Sequence, residues 1–245
     1  MRVLIYNQKG GVGKTTTAVN LGAALARRVD VPVTLVDLDP QTHLTAALGV
    51  RADGLAWTAT QWLAGVPGAP LAVAERLFLV PGDCEAVDPR PVADPLGGMD
   101  GIVLIDAPPV WSDTVGWMMA ACDLVLSPLE PDFLGLQGIN RLLHTMKRQG
   151  VPWERLRLLM CRFSRRLGVH QEVRRRLEER FRNGALLPVA VRSSVRLAEA
   201  PGYGVSIFDH APGSSGAEDY DETARLLLQE WGARGARPVQ EGMGP

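Results

Sequence analysis

Along this chain, short aliphatic and β-branched runs alternate with longer stretches in which apolar residues return every three or four positions. The short runs fit strands and the longer periodic stretches fit helices packed against them. The pattern predicts strands at Val3–Tyr6, Val33–Asp37, Leu77–Val80, Ile102–Asp106, Leu124–Ser127 and Leu156–Met160, with a shorter one at Leu186–Pro188. It predicts helices at Thr15–Arg28, Thr58–Leu63, Thr114–Ala121, Leu136–Gln149, Val169–Arg182 and Glu218–Trp231. Such alternation is the signature of parallel βαβ units. A near-continuous apolar strand such as Gly101-Ile-Val-Leu-Ile105 implies a sheet buried on both faces. The expected fold is a single α/β domain over residues 1–231: a doubly wound, mostly parallel sheet flanked by helices. The Pro/Gly-rich stretch Gly65–Pro70 reads as a surface loop and residues 232–245 as a flexible C-terminal tail.

One junction in this pattern carries chemistry. The first strand runs into Asn7-Gln-Lys-Gly-Gly-Val-Gly-Lys-Thr-Thr-Thr17, which opens a helix. Gly10, Gly11 and Gly13 permit backbone angles and a close approach that side chains would block. The amides from Gly10 through Val12 to Thr16 then join the positive end of the helix dipole to hold phosphate. Lys14 is placed to reach the β- and γ-phosphates, and Thr15 to offer its hydroxyl to Mg²⁺. The strict P-loop pattern begins with a glycine where this chain has Gln8, so the loop is a variant of that pattern. Asp106 ends an apolar strand at the carboxyl edge of the sheet, where doubly wound folds bind ligands. Asp37 and Asp39, two residues apart on an extended segment, point the same way and can face one polar site.

Composition sharpens the reading of the lysines. The chain has 245 residues, 46% hydrophobic and 22% charged, so a sizeable core can form. Its 26 Lys and Arg nearly balance 27 Asp and Glu, for a formal net charge of −1. Only Lys9, Lys14 and Lys147 are lysines, and two of them sit in the glycine loop. The three cysteines, Cys84, Cys122 and Cys161, lack C-x-x-C spacing, which excludes a disulfide framework or a four-Cys zinc site within the chain. The longest candidate apolar span, Trp117 to Leu126, is cut by Asp123. No leader-like segment precedes the first strand, and a cytoplasmic protein is expected.

Lys9-Gly-Gly-Val-Gly-Lys-Thr-Thr16 resembles the deviant Walker A motif of the ParA/Soj/MinD ATPases, with Lys9 in the place of their extra lysine. Val36-Asp-Leu-Asp-Pro-Gln41 is similar to the family's switch I segment, and Ile105-Asp-Ala-Pro-Pro109 to its Walker B and switch II. Ala121-Cys-Asp-Leu-Val-Leu-Ser-Pro128 resembles the next core strand, and Val195-Arg-Leu-Ala-Glu-Ala-Pro201 a segment of the Soj branch. Asn7-Gln8 also favours ParA/Soj, since MinD proteins usually have Ser-Gly there. The resemblance implies an ATPase using ATP and Mg²⁺, with Lys9, Lys14 and Asp39 catalytic. Asp39 would position the attacking water, while Asp37 and Asp106 would join Thr15 in supporting Mg²⁺. Lys9 would cross a homodimer interface to the partner's ATP. Arg162, Pro188 and Val189 would lie near the adenine, next to Cys161, where some relatives carry Asn.

The charge is strongly polarised. From Lys147 to Arg196 there are fourteen basic side chains against four acidic ones, an excess of ten positive charges, and the rest of the chain carries −11. Such a basic face is the footprint of phosphate-backbone binding without sequence specificity. The helix Val169–Arg182 is expected to bury Val169, Val173, Leu177 and Phe181 and to pair Glu172 with Arg176 and Glu178 with Arg182. Arg165, Arg166, Arg192 and Arg196 lack obvious acidic partners and are the expected DNA contacts. The resemblance adds non-specific double-stranded DNA in the ATP state, a ParB-like centromere-binding partner that stimulates slow hydrolysis, and nucleoid association. No membrane partner is expected, because Glu218–Trp231 is net acidic and Gly232-Ala-Arg-Gly-Ala-Arg-Pro238 is broken by Gly and Pro. Other readings of the same ATPase residues are a regulator positioning a protein cargo, a MinD-like membrane switch, or a metal-carrying assembly ATPase.

Overall fold

A computed structural model describes residues 1–84, 94–182 and 184–235. Eight strands form one sheet: β1 (Arg2–Ile5), β2 (Val33–Asp37), β3 (Leu71–Ala74), β4 (Leu77–Val80), β5 (Ile102–Asp106), β6 (Leu124–Leu129), β7 (Leu156–Phe163) and β8 (Leu186–Arg192). Their order is β3-β4-β2-β5-β1-β6-β7-β8, parallel throughout except for β3 at the edge, which runs antiparallel to β4. The doubly wound α/β sheet expected from the pattern is therefore present. In register, Ile5 and Asp37 both lie opposite Asp106, so three strands deliver their carboxyl ends to one place.

Helices cover both faces. On one side α1 (Lys14–Ala26) packs against α9 (Ser215–Gly235); on the other lie α4 (Asp113–Ala121), α5 (Phe133–Arg148) and α6 (Gly168–Arg180). The pleat divides each strand between two cores. Val3, Ile5, Ile102 and Leu104 join the α1–α9 side, whereas Leu4, Tyr6, Val103 and Ile105 join the other. Shorter helices are α2 (His43–Ala47), α3 (Ala59–Leu63), α7 (Val195–Glu199) and α8 (Ile207–His210).

The differences from the sequence expectation have local causes. The edge strand β3 was not expected because three of its four residues face solvent, so it carries no alternating signal. Strands β6, β7 and β8 run on to Leu129, Phe163 and Arg192, past their predicted ends, because pairing with the neighbouring strands carries the extended backbone through Pro128, Arg162 and Pro188. Val169 stays 42% exposed because it lies in the first turn of α6, while Val173, Leu177 and Phe181 are buried as expected. The last helix runs on to Gly235, past the predicted stop at Trp231, and residues 236–245 of the expected tail lie outside the described residues. No helix among the described residues is long and apolar enough to cross a membrane.

Candidate active site

The β1–α1 loop is built around two left-handed glycines, Gly11 at φ 77° and Gly13 at φ 97°. A side chain at either would strain the backbone. Gly13 caps α1, and its carbonyl accepts the first helical bond from Thr17 N at 2.8 Å. Asn7 pins the entry of the loop to β6: its amide donates to Pro128 O at 2.8 Å, and its Oδ1 accepts Lys9 N at 2.9 Å. Beneath the loop, Cys161 lies 3.8 Å from where a Gly13 Cβ would stand. Burial pushes its thiol up to about 12, so it is packing and not a nucleophile. The hydroxyl of Thr17 meets Tyr220 Oη at 3.1 Å, tying α1 to α9.

The carboxylates gather at the strand ends. Thr15 Oγ1 donates to Asp106 Oδ2 at 2.7 Å, while Asp106 Oδ1 is buried with no hydrogen-bond partner. Burial, then the charge of Asp37, push Asp106 up to about 8, with Thr15 and Lys14 pulling the other way. Lys14 is itself buried, which lowers its pKa against the pull of Asp106 and Asp39. Its ammonium donates to Lys9 O at 3.3 Å. Asp37 has both oxygens engaged: Oδ2 accepts Thr45 N at 2.9 Å and Thr45 Oγ1 at 2.7 Å, and Oδ1 accepts Asp39 N at 3.2 Å. Burial raises it to about 6. Asp37 thus anchors the loop that carries Asp39. Asp39 is half-buried on the wall of a cavity of about 690 Å³ that the phosphate loop, Asp37, Pro108, Pro109 and Arg162 also line.

A buried, half-satisfied carboxylate beside a threonine hydroxyl and a phosphate-binding loop fits Mg²⁺. That ion prefers one or two carboxylates plus substrate phosphates to an all-protein cage. Among the described residues no group of three or more His, Cys, Asp or Glu forms such a cage.

Of the expected site residues, Gly10, Gly11, Gly13, Lys14, Thr15, Thr16, Asp37, Asp39 and Arg162 line this cavity. Lys9, Val12 and Asp106 lie behind that wall, Asp106 joined to it through Thr15 and the Lys9 carbonyl through Lys14. The structure adds two residues that the sequence did not suggest. Lys9 Nζ donates to Glu130 Oε2 at 3.0 Å and to Asp132 Oδ2 at 2.8 Å, and Arg162 Nη1 donates to Glu130 Oε1 at 2.5 Å. The signal that could have found them is Glu130-Pro-Asp132 itself, an acidic pair just past the carboxyl end of a core strand. Pro188 and Val189 do not line the cavity: the Pro188 carbonyl accepts from Arg174, and Val189 packs toward the α1–α9 core.

The expectation that Arg192 and Arg196 lack acidic partners is corrected. Arg192 donates through its backbone N and its Nε to Asp219, and through Nη2 to Glu218 at 2.8 Å. These partners lie on α9, 26 and 27 positions away, where sequence proximity gives no hint. Arg196 pairs with Glu199 at 3.0 Å. Within α6, Glu172 takes Arg175 as well as Arg176, and Glu178 takes Arg174 in place of Arg182. Arg165 and Arg166 are exposed, and neither has an ion-pair partner among the described residues.

Residues 3–207 match the CobQ/CobB/MinD/ParA nucleotide binding domain. The chain is 38% identical to the chromosome-partitioning ATPase Soj of Thermus thermophilus, over 93% of this chain and 95% of that protein. It is 31% identical to the chromosome partitioning protein ParA of Myxococcus xanthus, over 93% of this chain and 87% of that protein. Among solved structures, cobyrinic acid a,c-diamide synthase from Mycobacterium smegmatis, with bound ATP analog and magnesium, superposes with a TM-score of 0.76 at 27% identity, covering 98% of this chain and 99% of that one. With a phosphate loop, a strand-end aspartate and a sheet order that converge on one cavity, and with similarity running along nearly its whole length, the chain belongs to the CobQ/CobB/MinD/ParA nucleotide-binding family and, within it, to the ParA/Soj partitioning ATPases.

Proposed function

We propose that this protein is an ATP-dependent DNA-partitioning ATPase. It binds Mg-ATP, pairs with a second copy over two sandwiched nucleotides, and coats double-stranded DNA without regard to sequence. A ParB-like partner stimulates slow hydrolysis and thereby releases it. It works in the cytoplasm on the nucleoid. The observation that carries the nucleotide part is the buried Asp106 Oδ1, which has no partner although Oδ2 of the same carboxylate holds Thr15 beside the glycine loop. Bound Mg²⁺ supplies charge neutralisation at the β- and γ-phosphates. Thr15 and Asp106 would hold it, and Asp37, with both oxygens engaged by Thr45 and the Asp39 N–H, would support it by fixing the Asp39 loop against β2.

Phosphoryl transfer asks for positioning and electrostatics more than covalent chemistry. Lys14, buried and adjustable, exchanges the Lys9 carbonyl for phosphate oxygens. Asp39 orients water from a loop fixed by Asp37. Lys9 reaches the nucleotide of the second copy, so loss of the γ-phosphate loosens the pair. Support for the DNA part is the charge excess between Lys147 and Arg196, within which Arg165 and Arg166 are exposed and have no ion-pair partner among the described residues. Adenine recognition by Arg162, Pro188 and Val189 remains part of this reading, with Arg162 alone of the three on the cavity wall.

The test is titration onto two unrelated duplexes with ATP, ADP or no nucleotide, repeated with Asp39→Ala and across a salt series. Tight, ATP-dependent, salt-sensitive binding to both duplexes, retained by Asp39→Ala, is expected. ATP-dependent dimerisation without DNA binding in any state would refute the DNA part and leave a protein cargo as the load.

A further inference from the structure

The lysine that the proposed dimer needs in the neighbouring subunit is held by its own. Lys9 Nζ lies between Glu130 and Asp132, both delivered by the turn that joins β6 to α5. Each carboxylate is fixed by a second duty. The other oxygen of Glu130 accepts Arg162, whose backbone is itself left-handed at φ 54°. The other oxygen of Asp132 caps α5 by accepting Gly135 N at 2.6 Å. A Cβ at position 135 would stand 2.2 Å from the Glu130 carbonyl oxygen, so only glycine lets α5 start this close to the turn. The lysine backbone is tied as well, its N–H to Asn7 Oδ1 and its carbonyl to Lys14 Nζ. Two carboxylates thus face two cations, Lys9 and Arg162, and the cluster is formally neutral. Partial burial of Lys9 acts against its charge, but Asp132 and Glu130 outweigh that and raise its pKa.

We propose that Glu130 and Asp132 form a clamp that parks Lys9 on its own subunit, and that opening this clamp is the threshold a second, nucleotide-loaded copy must cross to form the dimer. The proposal rests on the reading of Lys9 as an intersubunit residue. Single ion pairs at this exposure are weak. Here, however, a dimer gives up both clamps at once, and the fraction of Lys9 free to leave multiplies into the apparent affinity. Glu130 and Asp132 are therefore positioning residues, acting on the nucleotide only through Lys9. Lys14 links the two events, because phosphates that draw it away also release the Lys9 carbonyl from behind.

The double variant Glu130→Gln, Asp132→Asn removes the charges while keeping size, and Asn caps a helix as well as Asp does. In the nucleotide-free protein, the acylation rate of Lys9 by an amine-reactive anhydride is followed by mass spectrometry, with exposed Lys147 as internal reference. Labelling should accelerate about fivefold in the variant. An unchanged rate overturns the clamp whether or not the protein dimerises. With a non-hydrolysable ATP analogue and Mg²⁺, sedimentation should show the variant's dimer dissociation constant lower by about 25-fold, a fivefold gain from each of the two clamps. Lys9→Ala should abolish dimerisation in either background. A variant that dimerises no more tightly than a dimer-forming wild type overturns the threshold. Faster labelling with no dimer in either protein shows instead that the intersubunit reading has failed, and the threshold falls with it.

Discussion

Two charged regions of this molecule differ in what they leave unmet. At the phosphate loop, one aspartate is buried with half its hydrogen-bonding capacity unused, and the lysine next to it donates only to a main-chain carbonyl. On α6, a dense row of arginines is largely answered from within: Arg174 by Glu178, Arg175 by Glu172 and Glu179, and Arg176 by Glu172. A surplus of ten charges in the sequence therefore says less than one oxygen without a partner. Burial makes an unmet group costly, so its persistence points to a ligand. Exposed pairs cost little and commit the surface to little.

The sharpest way to break this contrast is at Asp106. Asp106→Asn should lower ATP turnover by at least about 100-fold, as loss of a metal-supporting charge does. Its thermal midpoint should not fall, because an amide is less costly to bury than a carboxylate. Turnover near wild type in a steady-state phosphate-release assay would mean that the unpartnered oxygen has no role. Next in size is Thr45→Val, which preserves volume but removes the hydroxyl that donates to Asp37 and accepts Gly82 N at 2.8 Å. Urea unfolding should show a loss of ~2–3 kcal/mol from the buried groups left unpaired.

Arg192→Ala probes the charged surface where it is structural. It strands the nearly buried Asp219 and should cost ~1–2 kcal/mol by the same measurement. The smallest effect on stability belongs to Arg165→Ala with Arg166→Ala, less than about 0.5 kcal/mol. That pair should nevertheless reduce the slope of log affinity against log salt on duplex DNA by about one per arginine. If Arg192→Ala lowers DNA affinity at unchanged stability while the 165/166 pair does nothing, the division between structural and DNA-facing arginines is wrong.

What could be read in advance follows how local each determinant is. Strands β2, β4 and β5 match their predicted bounds to the residue, because continuous apolar runs bounded by turns leave little choice. The glycine loop was legible because its chemistry lies within a few consecutive residues. Helices α2, α7 and α8, four or five residues long, were not, although the equally short α3 was expected at Thr58–Leu63, so length alone does not decide. Separation along the chain hid Glu130 and Asp132 as partners of Lys9, 121 and 123 positions away, and the partners of Arg192. Asp37 was legible as a site residue, but its commitment to Thr45 depends on the fold of α2 and needed coordinates.

The place of β1 in the sheet has a consequence for how the protein is made. Strand β1 sits between β5 and β6, so its backbone has no partner in the sheet until residues 102–129 have been synthesised. The floor of its phosphate loop waits longer, for Cys161 and then for Tyr220 in the second turn of α9. Pairing this distant in sequence slows folding and leaves intermediates exposed. A nascent or truncated chain that stops before residue 220 carries the glycine motif without the scaffold that shapes it. Nucleotide binding therefore waits for the scaffold around residues 161 and 220, although the loop's most recognisable residues are translated long before it.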